Sequence, residues 1–250
     1  MKSLNRLWLL PLLLGLSACS SVNHSSIMKP GQTSQKFSIE RKQVLSADYL
    51  LYLPPDYAAD SGRRWPLILF LHGAGERGSN IQLVTKHGPP KVAPQLTNFP
   101  FIVVSPQCPN GKIWSNDLLL ALLEEIESRC AVDTRRVYLT GISMGGFGTW
   151  SLGLSHPEKF AAIAPICGGG EFITPLLADK KQLATLPVWA FHGAKDTVVP
   201  VTESERMVNL LKKLGAKEVK FTIYPNAGHE CWNEPYAGRE LYDWFLKHAR

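Results

Sequence analysis

VYLTGISMGG, residues 137–146, places a Gly-x-Ser-x-Gly pattern directly after a short apolar run. The residues that follow have helical spacing, so Ser143 lies between a predicted strand and a predicted helix. A serine on such a turn needs small neighbours, because the backbone nearly folds over itself there. Gly141 and Gly145 are those neighbours. The context predicts a nucleophilic Ser143; the simpler alternative is a glycine-rich turn whose serine caps the helix.

Short apolar runs alternate with helical patterns along residues 36–250. Because of this alternation, we expect one α/β domain whose central sheet is mostly parallel and covered by helices on both faces. Residues 37–53 alternate loosely and end at Pro54-Pro55, which predicts an antiparallel N-terminal hairpin. The other predicted strands are 65–71, 101–105, 136–140, 160–166, 187–192 and 219–224, and the predicted helices are 117–130, 145–154, 202–214 and 235–248.

The composition excludes several classes of protein. The 250 residues are 45% hydrophobic, too apolar for a disordered chain, and five cysteines are too few for a disulfide scaffold. Past the N-terminus, no apolar run approaches the roughly 18 residues of a membrane-spanning helix. The formal charge of +6 includes no basic block, so we expect no nucleic-acid partner. No His or Cys cluster has metal-ligand spacing, and we expect neither a metal nor a cofactor.

The N-terminus has the pattern of an export signal. Two cationic residues precede the apolar segment 7–16, which is followed by Leu-Ser-Ala-Cys. This ending resembles the lipobox of bacterial lipoproteins, which implies that residues 1–18 are removed and Cys19 carries a lipid anchor; the alternative is an ordinary signal peptide. Ser20 resembles the outer-membrane sorting pattern, and residues 19–35 are predicted to be a flexible tether. We expect an exported lipoprotein held at the outer membrane, facing the periplasm or the cell surface.

Four cysteines remain beyond the lipobox, and an exported chain can keep disulfides. Four cysteines allow three pairings, and the sequence alone does not select one of them. Because Cys167 and Cys231 both lie near the functional motifs, we expect that pair first. The four residues are Cys108, Cys130, Cys167 and Cys231.

A serine nucleophile needs a base that is oriented by an acid. In α/β domains that carry the nucleophilic serine on such a strand-to-helix turn, the chain order is serine, acid, histidine, and each residue lies on a loop after a strand. Of the seven histidines, only His229 fits, because it follows the last strand on a glycine loop. His192 ends a strand and is expected to be a hydrogen-bonded structural residue. Asp196 follows the preceding strand, with a turn or cap role as its alternative. The predicted triad is Ser143, Asp196 and His229.

Residues 73–78, GAGERG, fit the Gly-x-Gly-x-x-Gly pattern of dinucleotide-binding loops. That function is rejected, because no acid follows at the required spacing and Pro89-Pro90 would interrupt the helix. The loop is better explained as half of an oxyanion hole. We expect the N–H of Ala74 to be one donor, with Gly75 as its alternate, and the N–H of Met144 to be the other.

Four further residues are candidates for the substrate entrance. Glu76 and Arg77 either pair with each other or line that entrance. Trp114 lies on a predicted loop, and Trp232 follows the predicted base by three residues. Both tryptophans are candidate stacking platforms, and core packing is the alternative for each.

Six segments together resemble α/β-hydrolases: HGAGERG (72–78), SPQCP (105–109), GISMGG (141–146), PICGG (165–169), HGAKDTVVP (192–200) and GH (228–229). The chain is similar to the compact serine esterases related to feruloyl and acetylxylan esterases and polyhydroxybutyrate depolymerases. Some relatives are called predicted peptidases or phospholipase/carboxylesterase proteins.

The resemblance implies an α/β-hydrolase fold and cofactor-free ester hydrolysis by the predicted triad. It leaves the substrate open, with carbohydrate-linked and aromatic esters as candidates. The alternatives are a serine peptidase or acyltransferase with the same triad, or a catalytically silent binding lipoprotein.

Overall fold

The computed structural model describes residues 32, 34, 36–40, 42, 44–58 and 62–250. The chain divides into two compact units, Met1–Gln43 and Val44–Arg250. The described residues of the first unit have no regular secondary structure. The predicted signal segment, Cys19 and all of the predicted tether except Gln32 and Ser34 lie outside the described residues.

The described residues of the second unit contain seven strands and eight α-helices. The strands are β1 (Tyr49–Tyr52), β2 (Trp65–Leu71), β3 (Ile102–Pro106), β4 (Val132–Ile142), β5 (Ala162–Ile166), β6 (Val188–Gly193) and β7 (Val219–Tyr224). The helices are α1 (Gly88–Val92), α2 (Asn116–Arg129), α3 (Met144–Ser155), α4 (Thr174–Leu177), α5 (Lys180–Thr185), α6 (Thr202–Lys213), α7 (Asn233–Ala237) and α8 (Glu240–Leu246). Within the described ranges, no helix is both long and apolar enough to cross a membrane.

The strands form one sheet in the order β1-β3-β2-β4-β5-β6-β7. Every neighbouring pair is parallel except β1 and β3. The prediction of a mostly parallel α/β sheet is therefore confirmed. Parallel strands end at the same edge of the sheet, so the loops after β2, β4, β6 and β7 meet there.

Successive side chains of β2 enter two separate hydrophobic cores. Leu67 and Leu69 pack in a core that includes apolar residues of α2, α3 and α6. Ile68 and Phe70 pack in a second core that includes apolar residues of α7 and α8. The separation arises because neighbouring strand residues point to opposite faces. All seven residues of β2 are buried, as expected of a central strand covered on both faces.

The predicted N-terminal hairpin is wrong. Of the described residues between 37 and 53, only Tyr49–Tyr52 forms a strand, and its antiparallel partner is β3, more than 50 residues later. Residues 36–40, 42 and 44–48 have no regular structure. Ser38 and Glu40 alternate with Phe37 and Ile39 as in a strand, but no Asn-Gly, Asp-Gly or similar two-residue turn follows to close a hairpin.

The predicted C-terminal helix is two helices. Asn233–Ala237 and Glu240–Leu246 are separated at Gly238, whose backbone is extended. Glycine is a poor residue for a helix interior, because it loses the most conformational freedom when it is fixed. The amphipathic pattern therefore predicted the buried face correctly and the continuity incorrectly.

Asp133, near the start of β4, binds two arginines. Its Oδ1 accepts from the N–H and the Nε of Arg135, each at 3.1 Å, and its Oδ2 accepts from Arg136 Nε at 2.8 Å. Burial alone would raise the pKa of Asp133, but the hydrogen bonds from the two arginines outweigh burial and hold that pKa below its usual value.

We expect Asp133→Asn to lower the free energy of unfolding by about 1–2 kcal/mol at pH 7, because charge-assisted hydrogen bonds are lost. A carboxyl whose pKa is depressed in the folded state adds stability above its unfolded pKa, and this stability disappears as the pH falls through the folded pKa. The deficit of the variant should therefore shrink as the solution is acidified. Urea denaturation of both proteins at neutral and acidic pH measures it.

Asp56→Asn is the matched control, because the Asp56 side chain is 75% exposed and lies 4.0 Å from Arg63. Its effect should stay within about 0.5 kcal/mol. An equal deficit of Asp133→Asn at both pH values would contradict the electrostatic explanation.

Candidate active site

Ser143 lies on the sharp turn between β4 and α3. Its φ is 53° and its ψ is −117°, a backbone conformation that residues other than glycine rarely adopt. The turn requires close backbone approach on both sides. A β-carbon on Gly141 would clash with the carbonyl oxygens of Gly145 and Leu71, and one on Gly145 would clash with the carbonyl of Leu71. The two glycines of the sequence pattern therefore let the turn pack against the end of β2.

The structure brings together the three residues of the predicted triad. His229 Nε2 lies 2.9 Å from Ser143 Oγ, and His229 Nδ1 lies 2.7 Å from Asp196 Oδ2. Asp196 follows β6 and His229 follows β7, so the parallel sheet presents all three side chains at one edge. The His229 side chain is 17% exposed, whereas that of Asp196 is fully buried. This arrangement can move a proton from a serine hydroxyl to an imidazole that an acid orients.

Backbone groups hold the Asp196 carboxylate in place. Its Oδ1 accepts hydrogen bonds from the N–H groups of Val198 and Val199, at 2.9 and 2.8 Å. Burial alone would raise the pKa of Asp196, but the hydrogen bond from His229 and those two N–H groups outweigh burial and hold the pKa below its usual value. The carboxylate is therefore ionised where it meets His229 Nδ1.

His192 also contacts the Asp196 carboxylate. Its Nε2 lies 2.9 Å from the carbonyl oxygen of Val199 and 3.2 Å from Asp196 Oδ2. Both partners are acceptors, so this nitrogen carries the proton. Nδ1 lies 2.8 Å from Ser204 Oγ. The buried ring is thus hydrogen-bonded on both sides, the environment that the sequence predicts for a structural histidine.

The two predicted oxyanion donors lie on either side of Ser143. Met144 is the first residue of α3, where backbone N–H groups have no partner within the helix. Ala74 begins a short 3₁₀ turn after β2, and the preceding Gly73 approaches the serine, since a β-carbon there would stand 3.6 Å from Ser143 Cβ. Both residues therefore lie in segments next to Ser143, and the donor role of their N–H groups stays a prediction.

His72 fixes the loop that carries Ala74. Its Nδ1 lies 2.6 Å from the Gly73 carbonyl oxygen, and its Nε2 accepts from the N–H of Cys108 at 2.9 Å. Trp114 Nε1 donates to the His72 carbonyl at 3.2 Å. Burial lowers the pKa of His72, which favours the neutral ring that these two hydrogen bonds require. His72 was not predicted to have a role, and its partners lie too far along the chain for a local pattern to show them.

Glu76 and Arg77 form no ion pair with each other in the structure. The Arg77 guanidinium donates to the carbonyl oxygens of Ala74 and Lys112, at 3.0 and 3.3 Å. Glu76 Oε1 lies 3.8 Å from His87 Nε2, and its side chain is largely buried. Arg77 therefore ties the loop to the segment before α2, while Glu76 points toward the interior.

A cavity of about 450 Å³ adjoins Ser143. Its apolar walls come from the loop before α2, the first turns of α3 and the segment after β5. Among the described residues that line this cavity, Glu171 is the one with a carboxylate. A second cavity of about 420 Å³, near Pro157 and Arg250, includes none of the triad residues. The residues that line the first cavity are Ile113, Trp114, Ser143, Met144, Phe147, Gly148, Ser151, Gly169, Gly170 and Glu171.

The two candidate stacking tryptophans are mostly buried. Trp114 is 8% exposed and forms part of the cavity wall. Trp232 is 7% exposed and packs edge-on against the rings of His229 and His87, with both centroid distances at 5.4 Å. Trp114 can contact a ligand in the cavity, whereas Trp232 packs against the rings of His229 and His87. His87 was not selected as a site residue from the sequence, because only histidines that follow the serine along the chain were considered.

The four described cysteines are free thiols, so the expected disulfide is not formed in the structure. Cys167 and Cys231 are nevertheless in hydrogen-bond contact with each other. Burial, followed by this neighbour, raises the pKa of Cys167 well above its usual value, so its thiol is protonated. Among the described residues, no group of three or more His, Cys, Asp or Glu side chains could hold a metal ion.

Two family models match the chain. The Phospholipase/Carboxylesterase family matches residues 115–237, and the family described as "Putative esterase" matches residues 46–169. Together the two matches span the whole sheet and include all three triad residues.

Similar proteins are described as esterases. A solved structure of a thermostable esterase is 33% identical, with a TM-score of 0.66, over 81% of this chain and 59% of that chain. The bifunctional acetylxylan esterase/xylanase of Neocallimastix patriciarum is 28% identical over 66% of this chain and 24% of its own length. "Probable feruloyl esterase C" of Aspergillus niger is 27% identical over 75% of this chain and 68% of its own length. The chain thus spans less than two thirds of the first two proteins.

We expect Gly145→Ala to lower the free energy of unfolding by about 3 kcal/mol or more, because its methyl group would overlap the backbone of β2. Thermal and urea denaturation measure this loss. Gly75→Ala is the matched control, since a β-carbon there meets nothing within 4 Å, and its effect should be neutral or slightly stabilising. Equal stability of the two variants would show that the turn relaxes without cost.

Proposed function

We propose that the chain is a serine carboxylic-ester hydrolase of the α/β-hydrolase superfamily that acts through Ser143, His229 and Asp196, a class supported by the two matching esterase family models and the similar thermostable esterase. One observation carries the proposal: the two hydrogen bonds of 2.9 and 2.7 Å that join these side chains at the edge of the sheet. The order of the three residues along the chain also matches this fold.

The first half of the proposed reaction forms an acyl-enzyme. His229 Nε2 takes the proton of Ser143 as Oγ attacks the ester carbonyl, and the N–H groups of Met144 and Ala74 stabilise the oxyanion. Asp196 Oδ2 accepts a hydrogen bond from the Nδ1–H of His229, which leaves Nε2 free to act as the base. The tetrahedral intermediate collapses when His229 gives its proton to the alcohol oxygen, and the alcohol leaves.

The second half restores the enzyme. His229 removes a proton from water, the hydroxide oxygen attacks the acyl carbonyl, and the same two N–H groups stabilise the second oxyanion. Collapse returns the proton to Ser143 Oγ and releases the carboxylic acid. Every proton in this cycle passes through His229 Nε2, so no further acid or base is required.

The apolar cavity supports an apolar or aromatic acyl group. Trp114 and Phe147 both line the cavity that adjoins Ser143, and Phe147 is 39% exposed and open to a ligand. Relatives described as acetylxylan and feruloyl esterases are consistent with esters in which the alcohol is a carbohydrate or the acid is aromatic. We include such esters in the proposal as the substrate class.

The sequence of the N-terminus supports a location for this activity. The Leu-Ser-Ala-Cys pattern at residues 16–19 is the basis for proposing a lipid anchor on Cys19, which would hold the enzyme at a bacterial membrane. The predicted tether of residues 19–35 would then separate the catalytic domain from the membrane surface.

We expect the purified protein to be labelled by a fluorophosphonate and to hydrolyse p-nitrophenyl acetate. Ser143→Ala and His229→Ala should abolish both signals, because one removes the nucleophile and the other its base. Asp196→Asn should lower kcat by about 10³–10⁴, because the histidine loses the acceptor that fixes its tautomer. Labelling on a gel and the initial hydrolysis rates measure these effects.

His156→Ala is the matched control, because His156 follows the C-terminal end of α3, whereas Ser143 precedes its N-terminal end, and His156 contacts Glu158 at 3.5 Å. Its labelling and rates should equal those of the unaltered protein. A folded protein that is neither labelled nor active on esters would contradict the proposal and favour a silent binding protein.

The acyl cavity gives a second expected outcome. Phe147→Ala should lower kcat/KM for methyl cinnamate about tenfold and change that for methyl acetate much less, because only the larger acyl group reaches the ring. Ile223→Ala is the matched control, since Ile223 has the same 39% exposure and lies on β7 away from the cavity. Equal losses with both esters would show that Phe147 supports the fold rather than the acyl group.

A further inference from the structure

The hydrogen bonds of buried His192 determine how many protons its ring carries. Nε2 lies 2.9 Å from the Val199 carbonyl oxygen and 3.2 Å from Asp196 Oδ2. Both of these atoms are acceptors, so Nε2 carries a proton. Nδ1 lies 2.8 Å from Ser204 Oγ. A hydroxyl can either donate or accept, so the second proton of the ring depends on the direction of the Ser204 O–H group.

The Ser204 hydroxyl donates away from His192. Its Oγ lies 2.8 Å from the carbonyl oxygen of Gly168, which can only accept. A hydroxyl has one proton, so the bond to Gly168 leaves Oγ as an acceptor toward His192, and Nδ1 has to donate. A neutral ring would take the hydroxyl proton for Nδ1 and leave the Gly168 oxygen facing Ser204 Oγ without a donor. A ring that donates from both nitrogens is an imidazolium, and this state satisfies every one of these contacts.

The Asp196 carboxylate balances the positive charge. The side chains of His192 and Asp196 are both fully buried, and buried charges are stable only in pairs. In the proposed reaction the other imidazole on this carboxylate, His229, is neutral because it acts as the base. A neutral His192 would therefore leave the buried carboxylate with dipolar partners, the N–H groups of Val198 and Val199 and the ring of His229.

One carboxylate oxygen serves both histidines. Asp196 Oδ2 lies 2.7 Å from His229 Nδ1 and 3.2 Å from His192 Nε2. The negative charge favours the imidazolium form of His229, which cannot accept a proton from Ser143. A positive charge on the other side of the same oxygen offsets this attraction. His192 thus acts on the base through Asp196 and does not itself contact Ser143 Oγ.

Other titratable side chains near this pair do not carry the compensating charge. The Cys167 thiol is protonated, and Glu203 on α6 is paired with Arg206 at 2.7 Å. The titratable side chains in the segments packed around His192 are Asp196 after β6, His229 and Cys231 after β7, Cys167 after β5 and Glu203 on α6.

We propose that His192 is a positioning residue which, as a buried imidazolium, fixes Asp196 and keeps His229 in its neutral, basic form. Through Ser204 the same ring also holds the carbonyl of Gly168, which precedes the cavity residues Gly169 and Gly170. This inference rests on the proposed esterase function and adds to it a residue that sets the pH range in which the base is active.

NMR spectroscopy of the protein with isotope-labelled histidines measures the proton count directly. We expect both ring nitrogens of His192 to carry protons at neutral pH, because both face acceptors. Through-bond correlations assign the signals, so no variant has to fold. One unprotonated nitrogen in the His192 ring would overturn the proposal. The spectrum needs no substrate, so this result does not depend on esterase activity.

The pH dependence of kcat/KM for p-nitrophenyl acetate measures the effect on the base. His192→Gln removes the charge and keeps a side chain that can donate a hydrogen bond. Asp196 then attracts a proton to His229 without the offsetting charge, so activity should be lost at a higher pH. We expect the acid limb of the profile to move up by about one pH unit. On the alkaline side, where His229 is neutral in both proteins, the rates should agree within about threefold.

Two further variants accompany His192→Gln. Ser204→Ala removes the acceptor of Nδ1 and should move the acid limb in the same direction by a smaller amount. His248→Gln is the matched control, because His248 also contacts a carbonyl oxygen, that of Trp244 at 2.8 Å, and a carboxylate, that of Glu218 at 3.2 Å. Neither of these partners belongs to the triad, so the acid limb should stay in place.

The outcomes separate a charge effect from a structural one. An acid limb that moves up in His192→Gln and not in His248→Gln supports the proposal. An equal loss of rate at every pH, with the limb unmoved, would make His192 merely structural and overturn it. If fluorophosphonate no longer labels His192→Gln, Ser204→Ala and the spectrum of the unaltered protein decide. Absence of labelling and hydrolysis in the unaltered protein contradicts the proposed function instead, and the spectrum still tests the charge of His192.

Discussion

The close approach of three backbone segments at Ser143 is the constraint on which the site depends. Gly145 packs against the Leu71 carbonyl at the end of β2, and the N–H of Ser143 donates to the carbonyl of Ile166, at the end of β5, at 3.0 Å. These contacts hold the serine at a φ of 53°. A residue other than glycine remains in that region only when its surroundings enforce it, so the sheet itself positions the proposed nucleophile.

Hydrogen bonds to backbone groups fix the loops around that turn. Asp196 is held by the N–H groups of Val198 and Val199, and the oxyanion loop is held through His72. Each of these polar side chains is buried and has its partners satisfied, which makes its position well defined. The groups to which the proposed mechanism assigns proton transfer and charge stabilisation are thereby oriented before a substrate arrives.

Sequence patterns predicted the parts of the structure that depend on neighbouring residues. The apolar run before Ser143 and the glycines beside it define the turn, and chain order was enough to select His229. The pairing of β1 with β3 was missed because it joins distant segments, and so was the contact between Glu76 and His87, which also needs Trp232 from the last loop. Such contacts follow from the folded topology and leave no local signature.

The acyl cavity has walls that lie outside the sheet. Ile113 is in a loop, Phe147 is on the outer side of α3, and the segment after β5 continues into exposed Phe172 and Ile173. Substitutions at these positions leave the strands and the nucleophile turn untouched. In evolutionary terms, the proposed choice of acyl group can diverge among descendants of this protein while they inherit the same turn at Ser143.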